Sequence, residues 1–280
     1  MTLLIFLFGT VIGSFLNVAI RRGYRGESLF GRSHCESCRK VLSPAELIPV
    51  FSFLWQKGKC RSCGAALSIQ YPLVEATTGI LFAAAAYLLF PANFFDISIF
   101  DFTRFLIVLV SISAAIVIFA VDLKEKIIPE WPLRVLLTVG ILASVFRASA
   151  ASSGGISFDA FFWSILFSDW ITAILIAFIF AALWFFSGGR WMGFGDVKLI
   201  LGTSLIVGYP ASIAAFLFSF WLGSIAGGIL LLSRRASLRS QIPFGPFILL
   251  GALLAYFISP WFFETSRLID GIYEIVYLIT

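Results

Sequence analysis

At 280 residues the chain could form two soluble domains, but 60% of it is hydrophobic, only 12% is charged and its mean hydropathy is +1.00. That composition excludes an ordinary soluble enzyme. The net charge of +5 falls largely in loops expected to face anionic lipid headgroups, so it calls for no nucleic-acid partner.

A hydrocarbon core about 30 Å thick takes roughly 20 apolar residues per helix. Apolar runs at 2–20, 74–91, 103–121, 131–148, 161–186, 197–210, 212–232 and 244–262 predict spanning helices, the sixth being short. Most are apolar all round, which suits lipid better than the half-wetted helices of a soluble core. The fold expected is an all-α polytopic membrane protein of about eight helices.

The first run has no basic residue before it and is followed by Arg21, Arg22 and Arg25, the reverse of a secretory signal. It reads as a retained helix with its N-terminus outside. Segment 21–73 carries nine Lys or Arg while the loop at 92–102 has none, which assigns 21–73 to the cytoplasm. Alternation then puts 122–130, 187–196 and 233–243 on the same side, in keeping with Lys124, Lys126, Arg190, Arg234, Arg235 and Arg239. The Ser/Gly stretch 151–157 reads as an outer loop, and no internal repeat is evident. The chain divides into a first transmembrane helix at 1–20, a cytoplasmic loop domain at 21–73 and a helical domain at 74–280.

All four cysteines lie in that loop domain, as Cys35-Glu36-Ser37-Cys38 and Cys60-Arg61-Ser62-Cys63 with 21 residues between the pairs. Two CxxC knuckles supply the tetrahedral thiolate set that zinc prefers, and four thiolates leave no open position, so the metal would be structural. Disulfides are the alternative, disfavoured in a reducing compartment. His34 adjoins Cys35 and reads as a surface residue. The apolar run 47–55 between the knuckles is suited to rest on the membrane surface or on the helices. Glu75, at the start of the second span, faces either a substrate pocket or the interface.

Carboxylates at membrane depth are costly and therefore functional candidates. Asp122 closes the third run and Asp196 opens the sixth, 74 positions later, and both fall at the cytoplasmic face by the topology above. Two aspartates brought together can share a proton, one activating water and the other polarising a carbonyl. Gly193 and Gly195 would give the turn before Asp196 the freedom of positive φ and room for another chain. The competing readings are a solvated helix end for Asp122 and an N-cap for Asp196.

In order along the chain stand GSFLNVAIRR at 13–22, GRSHCESC at 31–38, LIPVFSFLWQKGKCRSC at 47–63, LSIQYPLVE at 67–75, DLKEKIIP at 122–129, GFGDVKL at 193–199 and IPFGPF at 242–247. Taken together these resemble the bacterial type IV prepilin peptidases, membrane proteases of the GxGD aspartyl group. The resemblance implies that Asp122 and Asp196 are catalytic. It also implies substrates, prepilins or pseudopilins, with a short basic leader ahead of a hydrophobic helix, cut after a glycine at the cytoplasmic face of the bacterial inner membrane. Members with the cysteine-bearing loop also methylate the new N-terminus with S-adenosylmethionine, a second activity expected here. No glycine-rich methyl-donor motif locates that site. The chain departs from the family pattern at Gly23 and at Glu36, where prolines are usual, and at Glu130, where Asp or Asn is usual. Asn17, Gly13 and Ser14 read as helix-packing positions.

A proton- or ion-coupled transporter using the same aspartates is the alternative of a different class; it predicts acids near the bilayer midplane. The two leading candidates instead lie at one face, and the long apolar runs around them lack other charges. A catalytically inert zinc scaffold is a further alternative.

Overall fold

The computed structural model describes residues 1–23, 27–90, 98–152, 158–234 and 242–258. Arg25, Arg235, Arg239 and most of the 92–102 and 151–157 loops lie outside them. The elements are α1 (Thr2–Val18, running on as a π turn over Ala19–Gly23), a 3₁₀ turn (Pro44–Leu47), α2 (Phe51–Trp55), α3 (Gln70–Leu89), α4 (Ile99–Glu125), α5 (Glu130–Ser152), α6 (Phe158–Ser187), α7 (Phe194–Val207), α8 (Ala211–Leu232) and α9 (Gly245–Ile258). Six of these are long and apolar enough to cross a membrane. The other two of the eight expected spans, α7 with 14 residues and α9, are short. Among the described residues there is no β-strand, only two isolated bridges.

Helix ends explain where the structure departs from the hydropathy pattern. α4 starts at Ile99, four residues ahead of its apolar run, because Ser98 caps it: its Oγ accepts from the Asp101 amide at 3.1 Å while Asp101 reaches back to the Ser98 amide at 3.1 Å. It stops at Lys126, left-handed at φ 57°, whose N–H bonds the Asp122 carbonyl at 2.9 Å.

The chain forms two compact units, Met1–Val135 and Leu136–Thr280. In the first, α1 and α3 meet backbone to backbone. A Cβ on Gly13 would lie 2.7 Å from Glu75 Cα, and one on Gly9 would lie 2.8 Å from Gly79 Cα. Small residues four apart permit this approach, which lipid-exposed helices use in place of a hydrophobic driving force. Asn17 adds an interhelical bond, its Nδ2 donating to the Tyr71 carbonyl at 3.1 Å.

In the second unit, Phe180 is fully buried against Phe216, Phe220 and Phe244, with ring centroids 5.8–6.0 Å apart. α5 and α7 approach closely where Gly140 faces the Gly202 carbonyl. Contrary to the expectation that the apolar runs hold no other charges, the half-buried Arg147 of α5 and the buried Asp169 of α6 form an ion pair. The guanidinium donates to Asp169 Oδ2 at 2.8 and 3.1 Å and to the Ile206 carbonyl at 2.7 Å, and it also bonds the Leu205 carbonyl. Asp169 Oδ1 accepts from the Tyr209 amide at 2.7 Å. The pair thus bonds the Leu205 and Ile206 carbonyls at the end of α7, a helix of only about 21 Å, and the Tyr209 amide just beyond it.

Candidate metal centre and active-site residues

The two CxxC segments fold as the same knuckle twice. Cys35 N–H bonds the Lys40 carbonyl at 2.9 Å and the Arg39 N–H returns to Cys35 at 2.9 Å. Cys60 N–H bonds the Ala65 carbonyl at 2.8 Å and the Gly64 N–H returns to Cys60 at 2.9 Å. Single bridges, His34 with Val41 and Lys59 with Ala66, close each turn. The fifth residue of each is left-handed, Arg39 at φ 56° and Gly64 at φ 71°. The two knuckles share one backbone fold although the left-handed position is glycine in only one of them.

The four sulfurs lie within 4.8 Å of one another, and Cys35 Sγ and Cys63 Sγ are 3.9 Å apart. Tetrahedral zinc with Zn–S near 2.3 Å requires sulfurs about 3.8 Å apart. The cluster therefore fits a metal ion, and none of the four thiols is in a disulfide. Crowding splits their titration. The Cys38 and Ser37 amides, with smaller help from neighbouring thiols, lower Cys35 to about 6. At Cys63 the Ala65 amide acts downward but is outweighed by desolvation and the hydrogen bonds of the other three sulfurs, which raise it to about 11. A cation would relieve that competition by replacing the protons.

Glu36, the residue departing from proline in the first knuckle, ties this module to the helices. It pairs with Arg21 of α1 and accepts from the Tyr71 hydroxyl of α3 at 3.2 Å, while Arg21 also bonds that hydroxyl and sits over the Tyr71 ring. On the segment between the knuckles, a capping box holds the 3₁₀ turn: Glu46 accepts from the Ser43 amide at 2.9 Å and its hydroxyl at 2.8 Å, bonds that hold its carboxyl below the ordinary range. α2 exposes Phe51, Leu54 and Trp55.

Asp122 is 4% exposed and sits in the last turn of α4, in the first unit. Asp196, 7% exposed, sits in the first turn of α7, in the second. Asp196 is not an N-cap: Gly193 holds that position, and the Asp196 carboxylate reaches back to the Gly193 amide at 3.1 Å. Neither Gly193 nor Gly195 has positive φ; Gly193 is extended at φ −80°, ψ 154°. The left-handed glycines are Gly188 and Gly189, at φ 59° and 74°, which end α6 by bonding the Phe185 and Trp184 carbonyls. Trp184 then packs on Phe194 with centroids 5.0 Å apart, and the Lys198 ammonium lies over the same ring, fixing the entry to α7. Arg147 and Asp169 escaped the sequence reading, although an Arg and an Asp inside neighbouring apolar runs are the signal of such a pair.

Membrane-spanning helices with buried carboxylates in their end turns, joined to a four-thiol centre, define a polytopic membrane enzyme. The chain belongs to the type IV leader peptidase family. Residues 108–228 match the model of that family, and residues 7–89 match the bacterial peptidase A24 N-terminal domain. It is 35% identical to a prepilin leader peptidase/N-methyltransferase of Bacillus subtilis, over 90% of this chain and 92% of that one. Proteins of the same name from Aeromonas salmonicida and Pseudomonas aeruginosa are 29% and 26% identical over 94% and 89% of this chain, and 94% and 87% of their own lengths. No solved structure matches.

Proposed function

We propose that the chain is a membrane aspartyl endopeptidase that cuts the short leader from type IV prepilins or pseudopilins after a glycine, and then N-methylates the new terminus. One observation carries the reading: two buried carboxylates, Asp122 and Asp196, occupy helix end turns in a family whose relatives are named prepilin leader peptidase/N-methyltransferase. Asp122 and Asp196 act as a pair. The ionised member takes a proton from water, whose oxygen attacks the scissile carbonyl carbon, while the protonated member donates to the carbonyl oxygen. Collapse of the tetrahedral adduct breaks the C–N bond, and the leaving amine takes up the proton.

Gly193 and Gly195 leave the substrate backbone space at the Asp196 turn. Cys35, Cys38, Cys60 and Cys63 hold a structural Zn²⁺, which keeps 21–73 folded where its own small core does not. The basic loops face the cytoplasm and the N-terminus lies outside, so leader and aspartates share one side of the bacterial inner membrane. The first helix at 1–20 and the helical domain at 74–280 bracket that zinc domain. S-adenosylmethionine supplies the methyl group when bound. The charges of Arg147 and Asp169 satisfy each other and the backbone, which gives a transport path no support.

The test is cleavage of a prepilin in liposomes by wild type, Asp122→Asn and Asp196→Asn, with mass spectrometry of the product terminus. Cleavage after glycine that falls at least about 100-fold in both variants supports the pair. Full cleavage by either variant refutes it, and absence of a methylated terminus with added methyl donor refutes the second activity.

A further inference from the structure

The first unit encloses a cavity of about 800 Å³ between α1, α3, α4 and the cysteine module, large enough for a whole nucleotide-sized ligand. Some of its polar walls pair with one another, Arg21 with Glu36 and Lys124 with Glu125, but one buried polar atom is left over. Asn17 is 3% exposed, and its orientation is fixed because its Nδ2 donates to the Tyr71 carbonyl. Its Oδ1 is therefore an acceptor, and among the described residues it is buried without a partner. Such an atom is costly to bury unless a ligand or water donates to it.

Beside it on the cavity wall stands Glu75, 7% exposed. One carboxylate oxygen accepts from the Val50 amide at 2.6 Å, holding Val50 at φ 61°, where a β-branched residue is strained. The chain thus places a strained loop against this carboxylate. The Ser14 hydroxyl also bonds this carboxylate; with the orphaned Asn17 oxygen the acid makes a corner rich in acceptors, and the group that matches it is a cation with several N–H donors: an ammonium. Elsewhere the walls carry cations, Arg21 beside Glu36 and Lys124 at 3.8 Å from Glu125, whose remaining N–H groups suit a carboxylate, and the rings of Tyr71 and Phe53, which suit a base.

We propose that this cavity is the methyl-donor site, with Asn17 Oδ1 and Glu75 accepting from the α-ammonium of the donor's amino-acid end; this rests on the N-methyltransferase reading above. An amino acid with both its charges, joined to a nucleoside, uses walls of both signs and the aromatic surface. The amine of a cut substrate shares only the ammonium, since its carboxyl is a peptide bond.

The test measures equilibrium binding to the full chain in nanodiscs, with metal content and elution profile as checks of folding. The probes are S-adenosylhomocysteine, its analogue lacking the α-amino group, and a peptide bearing the free terminus of a cut substrate. Wild type is expected to prefer S-adenosylhomocysteine over the deaminated analogue at least tenfold. Glu75→Gln, which can still accept from Val50, is expected to erase that preference, and Asn17→Leu to weaken S-adenosylhomocysteine tenfold or more. A structural defect would weaken both adenosyl compounds equally. If the preference survives in both variants, or if the variants weaken the peptide and leave S-adenosylhomocysteine unchanged, the donor assignment is overturned. A wild type that methylates while both variants bind as it does refutes the cavity alone. A wild type that neither binds nor methylates refutes the methyl-transfer reading and the cavity with it.

Discussion

Replacing Arg147 with Met keeps most of the side-chain volume and removes the guanidinium. Asp169 then keeps only the Tyr209 amide on Oδ1 and loses both donors to Oδ2, while the Leu205 and Ile206 carbonyls lose theirs. Breaking a buried pair from one side costs about 3–5 kcal/mol. The Arg147 side chain is 31% exposed and helices that separate within a membrane find other partners, so the lower end applies. A loss of about 3 kcal/mol corresponds to a midpoint lowered by roughly 6–12 °C. Thermal unfolding of the purified chain in detergent, followed by near-UV circular dichroism, reads this directly. Asp169→Asn should cost less, because an amide oxygen still accepts from Tyr209. The double variant Arg147→Met with Asp169→Leu should be more stable than the sum of the single losses, by about 1–3 kcal/mol of coupling. A single variant within about 0.5 kcal/mol of wild type, or strictly additive losses, would refute the account of how α7 ends.

Gly13→Ala should force α1 from α3, since the added carbon would meet Glu75 Cα at 2.7 Å; a loss of about 1–3 kcal/mol is expected in the same unfolding assay. Cys35→Ser or Cys60→Ser should lower the metal content of the purified chain to a small fraction of the wild-type value, measured by atomic emission, with faster proteolysis of 27–70. The Glu46 carboxyl lies below its ordinary value of 4.5 because of the Ser43 bonds. Its contribution is thus present above pH 4.5 and lost as pH falls through the depressed value. Limited proteolysis of the segment around Pro44–Leu47 should accelerate at that lower pH, and Ser43→Ala should move the onset upward.

The apolar helices were legible because lipid leaves a backbone few alternatives, so length and hydropathy nearly fix the element. Their ends were less so. The Ser98 cap extends α4 four residues ahead of its apolar run, and no count of apolar residues contains that hydroxyl's bond to Asp101. The cysteine cluster was legible because CxxC constrains sulfur positions locally, whereas the shared backbone of the two knuckles lies in bonds that the Arg39 and Gly64 amides donate to the Cys35 and Cys60 carbonyls, from residues of unlike type. Arg147 and Asp169 were visible as charges in apolar runs but need α7's end between them to make sense. The Asn17 and Glu75 corner depends on three separated segments, 13–17, 48–51 and 70–75, and no one of them announces a cavity.

The turn before Asp196 separates two reasons for a glycine. Gly193 is extended, not left-handed, so alanine can adopt its backbone. The nearest atom to an added Cβ is Asp196 Oδ2 at 3.8 Å, an ordinary contact. Alanine is a poorer N-cap than glycine by several tenths of a kcal/mol to about 1, which sets the stability loss expected of Gly193→Ala. If the glycine is there for the fold, cleavage should track that small loss. If it leaves room for substrate backbone beside the proposed catalytic Asp196, cleavage should fall at least about tenfold while the unfolding midpoint moves by only a few degrees, because one displaced methyl group suffices to spoil an attack geometry. Paired measurement of midpoint and initial cleavage rate decides between them, and a rate that follows stability would place the need for glycine in helix entry alone.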